Sequence, residues 1–465
     1  MMDLTHGKGK AALAISEQLR KKGYLAYFAG GCVRDTIMRK PSQDFDIATS
    51  ARPEEVEKLF DKTIPVGKQF GVMIVIQNQI PFEVATFRQE GGYCDGRHPT
   101  QINFTSPEED AKRRDFTVNG LFYDPFEGKV LDFVAGEKDI RAQIIRAIGA
   151  PALRFDEDKL RLLRAVRFAS TLGFQIEPNT WKELKARVQL IRQVSPERIR
   201  DELVKIFTRP GAEHGFTLLS ESGLMQEILP EIEAMKGVEQ PPQFHPEGDV
   251  FVHTRLLLEK LKNPSVTLAL GALFHDVGKP PTAAVRKGRI TFYEHAPLGA
   301  KMTAQIMKRL RFSNAEISDV CSCVDNHMKF ADVQRMRSGK LKRFIMRPTF
   351  EDEMELHRID CQSAHGILDN YYFIKKKLGE YAEEDLKPKP LVDGHDLIKL
   401  GMPPGPPMKP LLEELYDLQL EKKFKSKEDA LKRAHQMIQR SGKGKRRSSI
   451  KRSIKARGSK SKNRA

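Results

Sequence analysis

The sequence predicts an α+β protein, with a small mixed sheet and its helices at the N-terminal end and a long all-helical stretch after it. Three observations carry that prediction. Strand-like and helix-like segments alternate up to about residue 140. Beyond that point the strand signal nearly stops and helical periodicity runs on to the end of the chain. A Gly30-Gly31 turn joins an early strand to an early helix, the junction expected where the two element types alternate.

Residues 11–22 (AALAISEQLRKK) repeat apolar positions at helical spacing. Leu25 to Phe28 read as a strand running into Gly30-Gly31, Val33 to Met38 as a helix, and Phe45 to Ala48 as a second strand. Ala51-Arg52-Pro53-Glu54-Glu55 starts another helix, with Pro53 in its first turn. Val72–Ile76 and Pro81–Phe87 are two strands of a hairpin turning at Gln77-Asn78-Gln79. The order βαβαββ implies a mixed sheet with helices on one side. Pro241-Pro242 and the run from Pro403 to Pro410 mark breaks, and no internal repeat is visible. The expected organisation is a head over residues 1–145, a helical neck over 146–240, a helical domain over 241–372, a helical C-terminal region over 373–438 and a tail over 439–465.

Composition excludes several classes. No run of eighteen apolar residues is present, so no membrane span is expected. The N-terminal MMDLTHGKGK has no apolar h-region, and Asp3 and Glu17 are out of place in a transit peptide. Five cysteines with no CxxC pair read as reduced thiols, so the expected location is cytoplasmic. The net charge of +17 is uneven, because Arg440 to Ala465 hold twelve Lys/Arg and no acid, leaving +5 for the rest. Such a tail cannot bury a core and is expected to be disordered, yet it attracts a polyanion such as RNA by releasing counterions.

The chemistry is concentrated near the N-terminus. On a strand, alternate residues share a face, so Asp44 and Asp46 would point together while Phe45 and Ile47 enter the core. Two carboxylates on one face suit two hard divalent cations, Mg²⁺ above all, which activate an attacking hydroxyl and neutralise a leaving pyrophosphate. Glu83, alternating with Phe82 and Val84, is the candidate for a third carboxylate from a neighbouring strand. Gly30 and Gly31 allow close approach of a phosphate, and Arg34 adds charge for a triphosphate. Gly-Gly alone would be an ordinary turn, whereas GGCVRD followed by DFD points to nucleotidyl transfer.

With Arg113-Arg114-Asp115-Phe116-Thr117-Val118-Asn119 and the run from Glu157 to Phe168 (EDKLRLLRAVRF), these motifs resemble the class II tRNA nucleotidyltransferase and bacterial poly(A) polymerase family, which has a polymerase-β-like head. The resemblance spans roughly residues 20–235, with the motifs in the family's order. It implies Asp44 and Asp46 as metal ligands, Gly31, Arg34 and Arg114 as nucleotide contacts, and Asp115 and Asn119 as shaping the sugar and base pocket.

A helix beginning near Asp156 would place Glu157, Arg161 and Arg164 on one face, with Asp158 beside Arg161. On an isolated helix this would be an ordinary salt-bridged surface. A carboxylate next to a guanidinium, however, offers an acceptor beside donors. Cytosine and adenine each present an amino donor beside a ring-nitrogen acceptor, whereas uracil and guanine present the reverse and would leave buried polar groups unpaired. Asp158 and Arg161 thus match a template for CTP and ATP, the role the family implies, with Arg164 and Arg167 on phosphate or orienting the template. Arg88 to Pro99 (RQEGGYCDGRHP) is expected to be a mobile loop, which in the family helps switch from C to A. Ser195-Pro196 reads as a helix start, with Glu197, Arg198 and Glu202 bracing the template helix.

Further along, His253, His275-Asp276 and Asp360, with His295 and His327, follow the H…HD…D pattern and resemble HD-family phosphohydrolases over about residues 245–370. Imidazoles with carboxylates suit a second divalent metal, whose bridging water could attack a phosphate ester. The resemblances together imply CCA addition to tRNA, with tRNA, CTP and ATP as partners and HD phosphohydrolysis as a side activity. Poly(A) or A-only addition, or an HD phosphohydrolase whose head only binds nucleotide, are the alternatives.

Overall fold

A computed structural model describes residues 2–42, 44–93, 99–241, 248–381, 388–424 and 426–439, with backbone alone for 90–93 and 99–102. The basic tail from Arg440, most of the Asp95-to-Pro99 segment, and Pro242 lie outside the described residues. The chain divides into two units: one runs through Val324 and includes Ser363–His365, and the other comprises Asp325–Gln362 and the chain from Gly366 on.

In the first unit, a seven-stranded sheet is built from β1 (Ala26–Ala29), β2 (Asp46–Thr49), β3 (Thr63–Gly67), β4 (Val72–Gln77), β5 (Ile80–Thr86), β8 (Leu121–Asp124) and β9 (Lys129–Asp132), in the order β3-β4-β5-β2-β1-β8-β9. Only β2 and β5 run parallel; every other neighbouring pair is antiparallel. The β4–β5 hairpin turns on Asn78 and Gln79, both in the left-handed region that suits a tight two-residue turn. Helices α1 (Gly7–Lys21), α2 (Gly31–Ile37), α3 (Pro53–Leu59), α4 (Pro107–Lys112) and α5 (Gly136–Ala142) complete the head. Helix α1 buries Ala11, Ala12, Ile15 and Leu19, the apolar stripe visible in the sequence. Tyr27, Phe87 and Phe122 pack as tilted and edge-on rings 5.8–6.4 Å apart and tie β1 and β8 to the chain leaving β5.

Three expectations change. The second strand begins at Asp46, so Asp44 precedes it and does not share a strand face with Asp46. Arg88 to Pro99 is not simply a loop: β6 (Arg88–Tyr93) and β7 (Pro99–Phe104) form a separate antiparallel hairpin, because paired backbone amides compensate for the glycines. The helix expected from Asp156 is interrupted. Helix α6 (Pro151–Glu157) ends at Asp158, whose backbone is extended, and α7 (Arg161–Leu172) begins three residues later. The Asp158 carboxylate accepts from the Leu160 amide at 3.1 Å, a local bond that competes with helix continuation.

The rest of the unit is helical: α8 (Pro178–Ala186), α9 (Pro196–Thr208), α10 (Ala212–Glu221), α11 (Leu224–Ile228), α12 (Pro230–Glu233), α13 (Val250–Glu259), α14 (Val266–Phe274), α15 (Lys279–Thr282) and α16 (His295–Arg309), with α17 (Asn314–Asn326) reaching the second unit. Ser195 takes the position before α9 and Pro196 its first residue. In the second unit, α18 (Ser338–Ile345), α19 (Phe350–Ser363) and α20 (Asp369–Glu380) enclose a core of Phe330, Leu341, Phe344, Phe350 and Ile374. Helices α21 (Gly394–Lys399) and α22 (Met408–Leu420) carry a second core around Leu397 and Leu415.

Gly136 opens α5 where a Cβ would lie 2.2 Å from the Thr117 carbonyl oxygen and 3.0 Å from the Leu121 side chain. That carbonyl belongs to the 3₁₀ turn Thr117–Asn119 and cannot swing away as a side chain would. Gly136→Ala is therefore expected to lower unfolding stability by about 1–3 kcal/mol, the usual cost of overpacking, as measured by denaturant titration.

Candidate functional site

The C-terminal end of β1 and the start of β2 lie side by side. Ala29 pairs with Asp46, so Gly30 leaves the sheet next to that carboxylate. Ile47 pairs with Val84 in the parallel ladder, which sets Asp46 level with Glu83. Sheet register thus brings Asp46 and Glu83 to one end of the strands, and Asp44 joins them from the preceding loop. All three line a cleft of about 750 Å³. Desolvation and the neighbouring Glu83 push the Asp46 carboxyl up to about 6, against the pull of Arg114, although Asp46 stays accessible from the cleft. Lys8 of α1 donates to Asp44 at 3.2 Å, a contact the sequence did not suggest. Three carboxylates that repel one another in one cleft are a hard-oxygen donor set that a divalent cation fits.

Gly30 adopts φ 69°, ψ −122°, and a Cβ there would lie 3.3 Å from an Arg114 nitrogen. The following Arg34 donates to Asp35 at 2.7 and 2.9 Å and to the Asn119 side-chain oxygen at 2.7 Å. Arg114 donates to Asp110 at 3.1 and 3.2 Å and to the Asn119 carbonyl at 3.3 Å. Asp110 also accepts from Arg113 and from the Arg88 amide. This buried aspartate is a residue that sequence reasoning missed; its spacing three and four positions before Arg113 and Arg114 on a short helix is the signal that could have found it.

Asp115 is buried and bonded on both oxygens. One accepts from the Phe116 amide at 2.8 Å and from Asn119 at 3.2 Å, and the other takes both Arg164 donors. Burial alone would raise its carboxyl; Arg164, Arg161 and Asn119 overcome that and hold it at about 2. Arg167 is buried against Glu202 of α9, and burial lowers its guanidinium to about 10 despite that partner. Glu202 and Arg198 do brace this region, Arg198 by donating to Asp158 at 2.8 Å; Glu197 does not, being exposed.

Asp158 and Arg161 both line the cleft, yet their side chains are not bonded to each other among the described contacts. Arg161 donates to Glu157 at 2.7 Å and to the carbonyls of Arg154 and Arg113 at 3.1 Å each. The helix break falls between them, and both residues line the same cleft. Arg113, the first residue of the third motif, also lines the cleft, as do Arg88 and Arg209, which were not given a role in the sequence; lone arginines in a chain this basic carry no local signal.

A second group lies elsewhere in the same unit. His275 and His295 set Nδ1 on the carbonyls of Ala272 and Phe292, at 2.9 and 2.8 Å. A carbonyl only accepts, so each Nδ1 carries a proton, and in the neutral ring Nε2 is the nitrogen left to bind a metal. Those Nε2 atoms lie 3.1 and 3.5 Å from the Asp276 carboxylate. An acceptor nitrogen held that near an acceptor oxygen fits a shared divalent cation. Burial would raise the Asp276 carboxyl, but without a metal the His275 and His295 rings in their protonated form and the Lys279 ammonium hold it well below its usual range. The buried His253 ring lies edge-on to His275, centroids 5.4 Å apart. His327 and Asp360 belong to the second unit, the first at the start of a 3₁₀ segment and the second on α19.

Comparison with known proteins identifies the family. A model of the poly A polymerase head domain matches residues 26–146, one described as the probable RNA and SrmB-binding site of polymerase A matches 173–236, and the HD domain matches 249–362. A CCA-adding enzyme of Lactobacillus johnsonii is 32% identical over 429 residues, which cover 90% of this chain and 95% of that protein. The chain belongs to the CCA-adding enzyme family. It is with them a tRNA nucleotidyltransferase, carrying an HD domain. The CCA-adding enzyme of Geobacillus stearothermophilus is 44% identical over 214 residues, 46% of this chain and 53% of that one. The crystal structure of the Bacillus stearothermophilus CCA-adding enzyme in complex with CTP superposes with a TM-score of 0.70 at 26% identity, over 94% of this chain and 98% of that one. A Thermotoga maritima CCA-adding enzyme complexed with tRNA shares the fold, with a TM-score of 0.56 at 17% identity over 94% and 97% of the two chains. Among the described residues, no helix of this CCA-adding enzyme relative is long and apolar enough to cross a membrane.

Asp115 supplies the check on the electrostatics. A carboxyl held at about 2 stabilises the fold at every pH above its unfolded value near 3.8, and the contribution is lost as pH falls from about 4 to 2. The stability gap between the native protein and Asp115→Asn is expected to hold at about 2 kcal/mol or more from pH 5 to 8 and to shrink below pH 4, as read by denaturant melts across pH.

Proposed function

We propose that this protein adds CCA to tRNA 3′ ends from CTP and ATP without a nucleic-acid template. The observation that carries the reading is one cleft that joins the Asp44, Asp46 and Glu83 carboxylates to an arginine-rich wall and to the Asp158–Arg161 edge. Asp44 and Asp46 would hold Mg²⁺, with Glu83 beside them. Bound there, two such ions supply Lewis-acid activation of the primer hydroxyl and charge neutralisation at the leaving pyrophosphate.

The chain's own groups do the rest. Gly30 and Gly31 keep side-chain bulk away from the phosphates, while Arg34 and Arg114, fixed by Asp35, Asn119 and Asp110, present positive charge to them. Asn119 and Asp115 shape the sugar side, and Arg164 and Arg167 orient the base-reading helix. Asp158 accepts the exocyclic amino group of cytosine or adenine, and Arg161 donates to the adjacent ring nitrogen. Uracil and guanine would set carbonyl against carboxylate and N–H against guanidinium. Phosphate contacts recognise the tRNA mainly by shape, and the tail over residues 439–465 adds a sequence-independent attraction for RNA. The domain plan that goes with this reading is a head over residues 1–145, a neck over 146–240, an HD domain over 241–372, a C-terminal region over 373–438 and a tail over 439–465.

The protein incubated with tRNA lacking CCA is expected to add C from CTP and then A from ATP, and to ignore UTP and GTP. Asp44→Ala with Asp46→Ala should cut incorporation by about a thousandfold or more, since metal-held charge stabilisation is worth several kcal/mol. ATP polymerisation on any RNA with no use of CTP would instead make it a poly(A)-type enzyme and overturn the reading.

The Nδ1-anchored histidines favour a second activity. We propose that His253, His275, Asp276 and His295 hold a divalent metal and hydrolyse phosphate esters such as 2′,3′-cyclic phosphates. Turnover should survive the Asp44/Asp46 double substitution, disappear in Asp276→Ala, and stop on chelation; loss in the first variant or persistence in the second would exclude the HD residues as its source.

A further inference from the structure

Phe168 is buried at the back of the cleft and lines it. Three guanidiniums face its ring: Arg167 at 3.7 Å from the centroid, Arg164 at 5.2 Å and Arg34 at 5.6 Å. Two of them stand on α7 with Phe168 itself. The third comes from α2, at the phosphate end of the cleft. Each is also paired with its own carboxylate: Arg34 with Asp35, Arg164 with Asp115 and Arg167 with Glu202. Phe116 meets the same ring edge-on at 5.9 Å, which fixes the ring plane. Like charges that converge within one ring's reach repel one another. An aromatic face, negative at its centre, attracts all three without adding a further charge.

We propose that Phe168 is a positioning residue: its π face holds Arg34 of the head in register with Arg164 and Arg167 of α7, so that the phosphate-binding and base-reading walls of the cleft stay aligned. This rests on the nucleotide-transfer reading above. It adds that nucleotide affinity depends on the ring's electrostatic face and not on its volume. The interaction is made equally by the bound ground state and the transition state, so it belongs in KM and Kd more than in kcat.

Graded fluorination tests this, because each fluorine weakens the ring's negative face while nearly preserving its shape. With phenylalanine, monofluoro-, trifluoro- and pentafluorophenylalanine placed at position 168 of the full chain, Kd for CTP and for ATP is read by calorimetry and KM by incorporation on CCA-lacking tRNA. Kd and KM are expected to rise stepwise for both nucleotides, by about tenfold across the series, with kcat within about twofold and the melting temperature unchanged. Phe168→Tyr, which keeps the π face, should remain near the native values. A flat series in Kd with an unchanged melting temperature overturns the proposal, as does a loss in kcat alone. If the native protein binds CTP and ATP but incorporates neither, the transfer reading fails while the Kd series still decides the role of Phe168. If it binds neither nucleotide, both fail.

Discussion

Asp115 sits where the Thr117–Asn119 turn, the arginine pair before it and helix α7 meet, and its two oxygens divide the work. One holds Asn119, which in turn accepts from Arg34; the other holds Arg164. A continuous polar chain therefore runs from α2 through the turn to α7, linking the glycine turn to the helix that carries the base-reading arginine. A buried carboxylate is tolerated only when such partners repay its desolvation, and a partner left alone would be an uncompensated buried charge. The geometry of the cleft is in this sense over-determined: moving any one member strands another.

The cleft accumulates positive charge without collapsing on itself. Eight arginines line it, and the principal ones are tethered by Asp35, Asp110, Asp115, Glu157 or Glu202. Tethering fixes direction, and fixed donors need no reorganisation when a polyanion arrives. At the opposite wall Asp44, Asp46 and Glu83 concentrate negative charge, and burial, with Glu83 and Asp44 adding to it, pushes the Asp46 carboxyl up. A triphosphate with its cations satisfies both walls at once; neither wall alone is a comfortable arrangement.

The HD group follows the same logic with different donors. Two imidazoles are oriented by backbone carbonyls, so their protonation pattern is set by the turns that precede them and not by solvent. Lys279, bonded to Asp276 at 2.7 Å and to Gln240 at 2.6 Å, was not anticipated, although it stands in the same short motif as His275. Its ammonium holds the carboxylate charged, the form a metal requires.

What the sequence determined by itself was whatever is carried by near neighbours. The glycine turn, the Asp44-to-Asp46 spacing, the Pro-led helix starts, the β4–β5 hairpin and the change from mixed to helical structure all depend on a few adjacent residues, and they were legible. The tertiary structure alone decided what depends on residues far apart. Sheet register set Asp46 level with Glu83. Arg198, forty positions away, became the partner of Asp158. Two short-range contacts also escaped the sequence reading: the Asp158 carboxylate bonding to an amide two residues on, at the end of α6, and Asp110 anchoring Arg113 and Arg114 three and four positions later. Periodicity describes one element at a time, whereas the energy of a buried charge is set by whichever element packs against it, and that choice is made only when the chain closes.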